Sequence, residues 1–160
     1  MGLSLFRPRK TTPRLEQLRA LSLLVDLTPA ELEIVDGLVH EREYLAGEIV
    51  FDEGEEGHAI YIVLDGEVLI RRQGDSEGAC IAALGPGTFF GELALLDDGP
   101  RSAQAVAAKP SKLVVFFRDE FSNLLETHAR IASKIARQLA RHIGARMRDM
   151  ARAADAFQHL

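Results

Sequence analysis

The side chains best suited to chemistry lie between Phe90 and Ala105. Gly91 has no Cβ, so backbone can approach a ligand closely there. Glu92 to Leu96 are mostly good helix formers and predict one short helical turn. Free N–H groups at the start of such a turn, near Leu93 and Ala94, favour a phosphate. Asp97-Asp98-Gly99-Pro100 then ends the turn and reverses the chain. Arg101 follows with a planar donor fork that matches a phosphate, and Ser102 adds a hydroxyl beside it. A carboxylate would repel a phosphate, so Glu92 fits better as the acceptor for a sugar hydroxyl. Acid, turn, Arg and Ser together describe a ribose-phosphate site carrying one negative charge. A plain Gly-Pro surface hairpin explains neither the acid nor the Arg-Ser pair.

Other chemistries find little support. The sequence has no Gly-x-Ser-x-Gly, no His-Glu-x-x-His and no Walker-type Gly-Lys-Ser/Thr. The five histidines are scattered, which argues against a metal site. Cys80 sits in an apolar, strand-like run and reads as a small packing residue. Glu92 and Asp97 resemble paired acids, but their place beside Arg101 favours binding over hydrolysis. The expectation is a binding protein, not an enzyme, with no catalytic residues, no metal and no cofactor beyond its ligand.

The elements that must position this stretch can be read on either side of it. Residues 1–13 contain two prolines and the basic residues Arg7, Arg9 and Lys10, and predict an irregular basic arm. Leu15, Leu18, Leu21 and Leu24-Val25 mark a short amphipathic helix. Thr28-Pro29-Ala30-Glu31 is a helix start, with a capping Thr, Pro in the first turn and an acid to close a capping box. Leu32, Val35, Leu38 and Val39 give that helix an apolar face, and His40 falls near its end. From Tyr44 the pattern changes to short β-rich runs at 48–52, 59–64, 67–72 and 79–84, then 104–107 and 112–117, punctuated by glycines. Strands at that spacing predict an antiparallel roll or barrel. Gly54 and Gly57 alone would mark no more than a tight hairpin.

Residues 119–160 read as one long helix. Phe121, Leu125, His128, Ala132, Ile135, Leu139, Ile143, Arg146, Met150 and Phe157 fall on one side. Arg130, Lys134, Arg137, Arg141, Arg148 and Arg152 fall on the other. About forty residues of helix would span roughly 60 Å, too long for one small domain to bury. A kink near Gly144 or a partner helix would resolve this.

Composition agrees with one soluble globular domain. Hydrophobic residues make up 47% and charged residues 27% of 160. The net charge of −5 speaks against non-specific nucleic-acid binding. It is uneven, with +2 over residues 119–160 and −7 over the rest. A single Cys excludes an internal disulfide and suits a reducing, cytoplasmic setting. No apolar run is long enough for a membrane span, and the start lacks the apolar centre of a secretory signal.

The run Phe90-Gly91-Glu92-Leu93-Ala94-Leu95 with Pro100-Arg101-Ser102-Ala103 resembles the phosphate-binding cassette of cyclic nucleotide-binding domains of the catabolite activator type. Phe51-Asp52-Glu53-Gly54, Gly57, Tyr61-Ile62-Val63 and Gly66-Glu67-Val68 resemble that family's β-roll. The resemblance implies an α+β fold: an antiparallel, jelly-roll-like β-roll over residues 14–118, flanked by N-terminal helices and by a lid or dimerisation helix over 119–160. It implies that Arg101 neutralises a cyclic phosphate with help from Ser102, that Glu92 and the Gly91 backbone hold the ribose, and that Ile70, Ile81 and Ala82 line the base side. Residues about 45 positions after the cassette Arg reach back to the base in this family, which implicates Arg146, with Ile143 and Met147 beside it. An Arg within the apolar stripe is also explained by fraying of the stripe or by an ion pair between subunits. The expected ligand is cAMP, favoured over cGMP. The expected protein is a stand-alone cytoplasmic sensor, homodimeric through residues 119–157, relaying its signal to a downstream protein. The helix-turn-helix that many members carry is not expected here, and so neither is DNA binding by that route. The alternative is a dimeric interaction module in which nucleotide binding is lost or incidental.

Overall fold

The computed structural model describes residues 11–72 and 80–158. Two helices open the fold, α1 (Pro13–Arg19) and α2 (Pro29–Asp36). Eight strands follow: β1 (His40–Tyr44), β2 (Ile49–Phe51), β3 (Ala59–Asp65), β4 (Val68–Arg71), β5 (Cys80–Leu84), β6 (Phe89–Phe90), β7 (Gln104–Ala107) and β8 (Ser111–Phe117). Two further helices close it, α3 (Arg118–Thr127) and α4 (Ala129–Gln158). The strands form two four-stranded antiparallel sheets, ordered β1-β8-β3-β6 and β2-β7-β4-β5. This is the α+β roll expected from the sequence.

Local chemistry sets the N-terminal helices. The Thr12 hydroxyl accepts from Leu15 N–H and Pro13 takes the first turn of α1. Thr28 and Glu31 close the expected capping box on α2. The first helix is shorter than its leucine pattern suggested: it ends at Arg19 and continues as a 3-10 turn at Ser22–Leu24. The expected basic arm lies outside the described residues as far as residue 10, and α1 already begins at its last residue, Pro13. Residue 79, the expected start of β5, also lies outside the described residues.

Strands β3 and β8 are the centre of the molecule because both of their faces are covered. Ile60, Ile62 and Leu64 of β3, with Val114 and Phe116 of β8, pack on the helix side against Leu18, Leu23, Leu32, Phe121, Leu124 and α4. Val63 and Leu113 face the other way, toward Phe51, Val68, Phe90 and Ala105 between the sheets. Alternation of side chains along a strand divides one apolar run between two cores.

The C-terminal segment departs from the expected single helix. It breaks at His128, where φ is −136° and ψ is 60°, and α4 then runs without interruption through Gly144. The break lets Phe121 and Leu124 of α3 join the same cluster as Ile131, Ala132, Ile135 and Leu139 of α4. Ile135 and Leu139 are fully buried within the chain itself. They were expected in a subunit interface, and the chain's own roll covers them instead. Leu125 and His128, placed on the apolar side by periodicity, are exposed because the break removes them from that face. Beyond Ile143, Met147 and Met150 are 66% and 70% exposed. Among the described residues no helix is long and apolar enough to cross a membrane.

Candidate functional site

Gly91 begins the site. Its φ of +74° is left-handed, which suits a residue without Cβ, and it caps a 3-10 turn over Glu92–Leu95. Ala94 N–H already donates to Gly91 O at 3.2 Å. The N–H groups of Glu92 and Leu93 are therefore the ones such a turn leaves free of internal partners. The chain leaves the turn at Leu96 and reaches Arg101 through Asp97–Pro100. The β2–β3 loop then grips Arg101 by its backbone: Arg101 N–H donates to Glu55 O at 2.7 Å, and Gly54 N–H donates to Arg101 O at 2.8 Å.

Arg101 is 8% exposed. Its Nη1 donates to Gly91 O at 3.2 Å and its Nη2 to Ala59 O at 2.7 Å. Its guanidinium carbon lies 4.1 Å from the centre of the Phe51 ring and 5.6 Å from that of Tyr61. Among the described residues, Nε is buried without a hydrogen-bond partner. Burial is the largest influence on this group and pushes its pKa below the ordinary value, while Tyr61, Glu55 and Glu92 act the other way. A guanidinium held this way stays charged, and one of its donors is left unmatched among the described residues. Gly57 backs it closely: a Cβ there would come within 3.2 Å of both Arg101 Cζ and Nε, and 3.0 Å from Ala94 Cβ.

Glu92 is 4% exposed and faces α4. Its Oε1 accepts from Arg146 Nη1 at 2.5 Å, and His142 Nε2 stands 3.5 Å away. The His142 ring also packs on Phe89, with centroids 4.6 Å apart. One turn of α4 thus lies against the cassette. Sequence reasoning reached Arg146 and missed His142. The available signal was the i, i+4 spacing of the two, which puts both on one helix face.

The other expected residues are distributed around this centre. Ile70 of β4 is paired directly with Ala82 of β5 and with Ala105 of β7, and packs against the cluster containing Phe51 and Phe90. Ile81 falls at an irregularity between the paired positions of β4 and β5 and is 55% exposed. Leu93 is 52% exposed, Ser102 is exposed and Ala103 is half-buried. Ile143 leans on the helix-side core, and Met147 is exposed. The structure therefore brings Gly91, Glu92, Ala94, Arg101 and Arg146 together. It sets Ile70 and Ala82 side by side on the neighbouring sheet. Among the described residues, no group of three or more His, Cys, Asp and Glu is placed to hold a metal ion.

Comparison with known proteins agrees with this fold. A family model described as "Cyclic nucleotide-binding domain" matches residues 41–128, more than half of the chain. A cyclic AMP receptor protein of Thermus thermophilus is 36% identical over 118 residues, covering 73% of this chain and 55% of its own. The chain thus spans about half the length of that curated relative. The N-terminal domain of a transcriptional regulator from Streptomyces coelicolor superposes with a TM-score of 0.74 at 28% identity, covering 84% of this chain and 94% of that one. The regulatory domain of Toxoplasma gondii PKA, crystallised with cAMP, superposes with a TM-score of 0.63 at 32% identity, covering 71% of this chain and 45% of that one. The family match spans β2, β3 and the whole cassette, and on it the chain belongs to the cyclic nucleotide-binding domain family.

Proposed function

We propose that this domain senses a cyclic nucleotide, with cAMP favoured over cGMP, and reports it through α3 and α4. The observation that carries the reading is Arg101: a buried cation whose Nε has no hydrogen-bond partner among the described residues, set beside the αL-capped turn. A cyclic phosphate would accept from Nε, from Ser102 and from the opening N–H groups of the turn. Glu92 would accept from the ribose hydroxyl. Ile70 and Ala82 would line the base side, with Ile81, Ala103, Ile143 and Met147 at its edge. The preference for cAMP draws on the relatives, one named for cyclic AMP and one crystallised with it.

Arg146 and His142 give this binding a consequence. Arg146 holds the same carboxylate that the ribose would use, and His142 stands beside it. Ligand entry therefore redistributes the bonds of Glu92 and changes the hold on α4, which shifts the helix between two arrangements. We place the downstream contact, and a homodimer contact, on the exposed distal half of α4 around Met147 and Met150, in a cytoplasmic setting. The exposed methionines equally suit the second reading, an interaction module that makes no use of nucleotide. Hydrolysis of the ligand is not part of the proposal. The chain would return cAMP unchanged after incubation, as read by product analysis.

Calorimetric titration with cAMP, cGMP and a cyclic dinucleotide tests the proposal. Wild-type protein should bind cAMP most tightly. Arg101→Ala should remain folded and bind on the order of 100-fold more weakly, since a charge-assisted, desolvated contact is worth roughly 3 kcal/mol. Unchanged affinity in a folded Arg101→Ala protein would overturn the reading of the cassette.

A further inference from the structure

Arg118 occupies a position that electrostatics disfavours. It is the first residue of α3, where the helix dipole repels a cation. Phe117 gives that end no side-chain cap. Yet the Arg118 side chain is 19% exposed, with three oxygens gathered around Nη1. Nη1 donates to Gly57 O at 3.1 Å and to Asp97 O at 2.9 Å, and it pairs with Asp98 Oδ1 at 2.8 Å. The Arg118 backbone N–H adds a bond to His58 O at 2.8 Å.

Those oxygens come from the segment that backs Arg101 and from the end of the cassette turn. Gly57 backs the Arg101 guanidinium. Asp97 ends the cassette turn, its N–H bonded to Leu93 O. Arg118 touches neither Arg101 nor Glu92 among its described contacts, so it acts through them. Two of its three acceptors are backbone carbonyls, which sets it apart from an ordinary surface ion pair. Behind it, Phe121 and Leu124 carry α3 into the cluster that holds Ile131, Ile135 and Leu139 of α4.

We infer that Arg118 is a positioning residue that ties the cassette to α3, a second route from ligand to helices beside the Glu92–Arg146 contact. The inference rests on the nucleotide-binding reading. A phosphate drawn onto the turn displaces Asp97 and Asp98, and Arg118 passes that displacement to the start of α3. The tie is a set of direct contacts between two elements, not a path drawn from intermediacy alone.

Calorimetry with cAMP, combined with hydrogen exchange of the cassette and α3 amides with and without cAMP, tests it on three chains. In wild type, cAMP should slow exchange in both segments. In Arg118→Ala, affinity should fall on the order of 10-fold, the cassette should still slow, and the slowing in α3 should vanish. In Arg118→Lys, whose ammonium has three donors, part of the α3 response should return. Wild-type affinity with a wild-type α3 response in Arg118→Ala would overturn the inference. So would equal loss of protection in both segments whether or not cAMP is present, the mark of a merely structural role. Asp98→Ala removes one acceptor from a side chain that is 81% exposed and leaves folding intact. It should weaken the α3 response, and a full response there would also overturn the inference, whatever Arg118→Ala does. A wild-type protein that binds no cyclic nucleotide overturns the binding reading and this inference with it. A binding wild type with unaltered variants overturns this inference alone.

Discussion

In the proposed reading, Glu92 is the residue where ribose binding and the hold on α4 meet. A carboxylate that is 4% exposed needs a partner, and Arg146 supplies it from α4, with His142 Nε2 3.5 Å away. In the proposed complex a ribose hydroxyl joins that set. Glu92→Ala should therefore weaken cAMP by more than it weakens the 2′-deoxy analogue, which never made the lost bond. Calorimetry of both ligands on both proteins measures the difference, and equal losses would mean that Glu92 does not read the sugar. The grouping of Glu92 with Gly91 and Arg101 was legible in the sequence. Gly91, Glu92 and Arg101 lie within eleven consecutive residues, so local spacing alone suggested a cradle. The hold of α4 on Glu92 was not legible in the same way, because fifty residues or more separate the partners. Arg146 was expected against the base, and the structure shows its guanidinium on the Glu92 carboxylate.

At the scale of elements, glycine punctuation located six strands well because each apolar run is short and bounded. β1 escaped because its five residues, His40-Glu41-Arg42-Glu43-Tyr44, carry no apolar alternation. It is an edge strand beside β8, where charge is tolerated and useful. The break at His128 escaped because neither Gly nor Pro marks it, and packing of α3 and α4 into one cluster decides it. That packing changes what a substitution in α4 should do. Leu139→Asp places an unpaired charge in the chain's own core, at a cost of roughly 3–5 kcal/mol against a total stability of about 5–15 kcal/mol. It should unfold or strongly destabilise the domain, read as a lowered melting temperature, and a stable monomer would contradict the packing described. α4 is also tied to α2 by Lys134 Nζ on Glu31 Oε1 at 2.6 Å. That bond, followed by the Thr28 backbone, lowers the Glu31 pKa from 4.5 to about 2. The contribution is fully present above pH 4.5 and is lost as pH falls toward 2, because the unfolded chain takes up the proton first. Glu31→Gln should flatten the acid limb of stability across that window, as followed by denaturant titration at several pH values. An unchanged acid limb would show that the pair adds nothing to folding.

For the molecule as a whole, α4 divides into two halves with different physics. Its 30 residues span about 45 Å. The proximal half is anchored by Ile131, Ala132, Ile135 and Leu139 in the core, by Lys134 on Glu31 and by Gln138 Nε2 on Asp26 at 2.5 Å. The distal half, past the Arg146 contact with Glu92, exposes Met147 and Met150, which lie three residues apart and so on one face. Most helical stability in proteins comes from tertiary packing, and this half has little from its own chain. A second copy of the same helix, laid alongside, would cover both methionines at once and satisfy the symmetry of a two-fold contact. Sedimentation of the wild-type protein should accordingly show a dimer. The double variant Met147→Glu with Met150→Glu should sediment as a folded monomer, because both side chains are exposed within each chain and the proposed pairing would bury the new charges. Its core is untouched, so its melting transition in the dilute, monomeric limit should match wild type. A wild-type protein that remains monomeric at high concentration would defeat the pairing and assign the methionine face to another partner. A double variant that still dimerises would move the contact elsewhere on the roll.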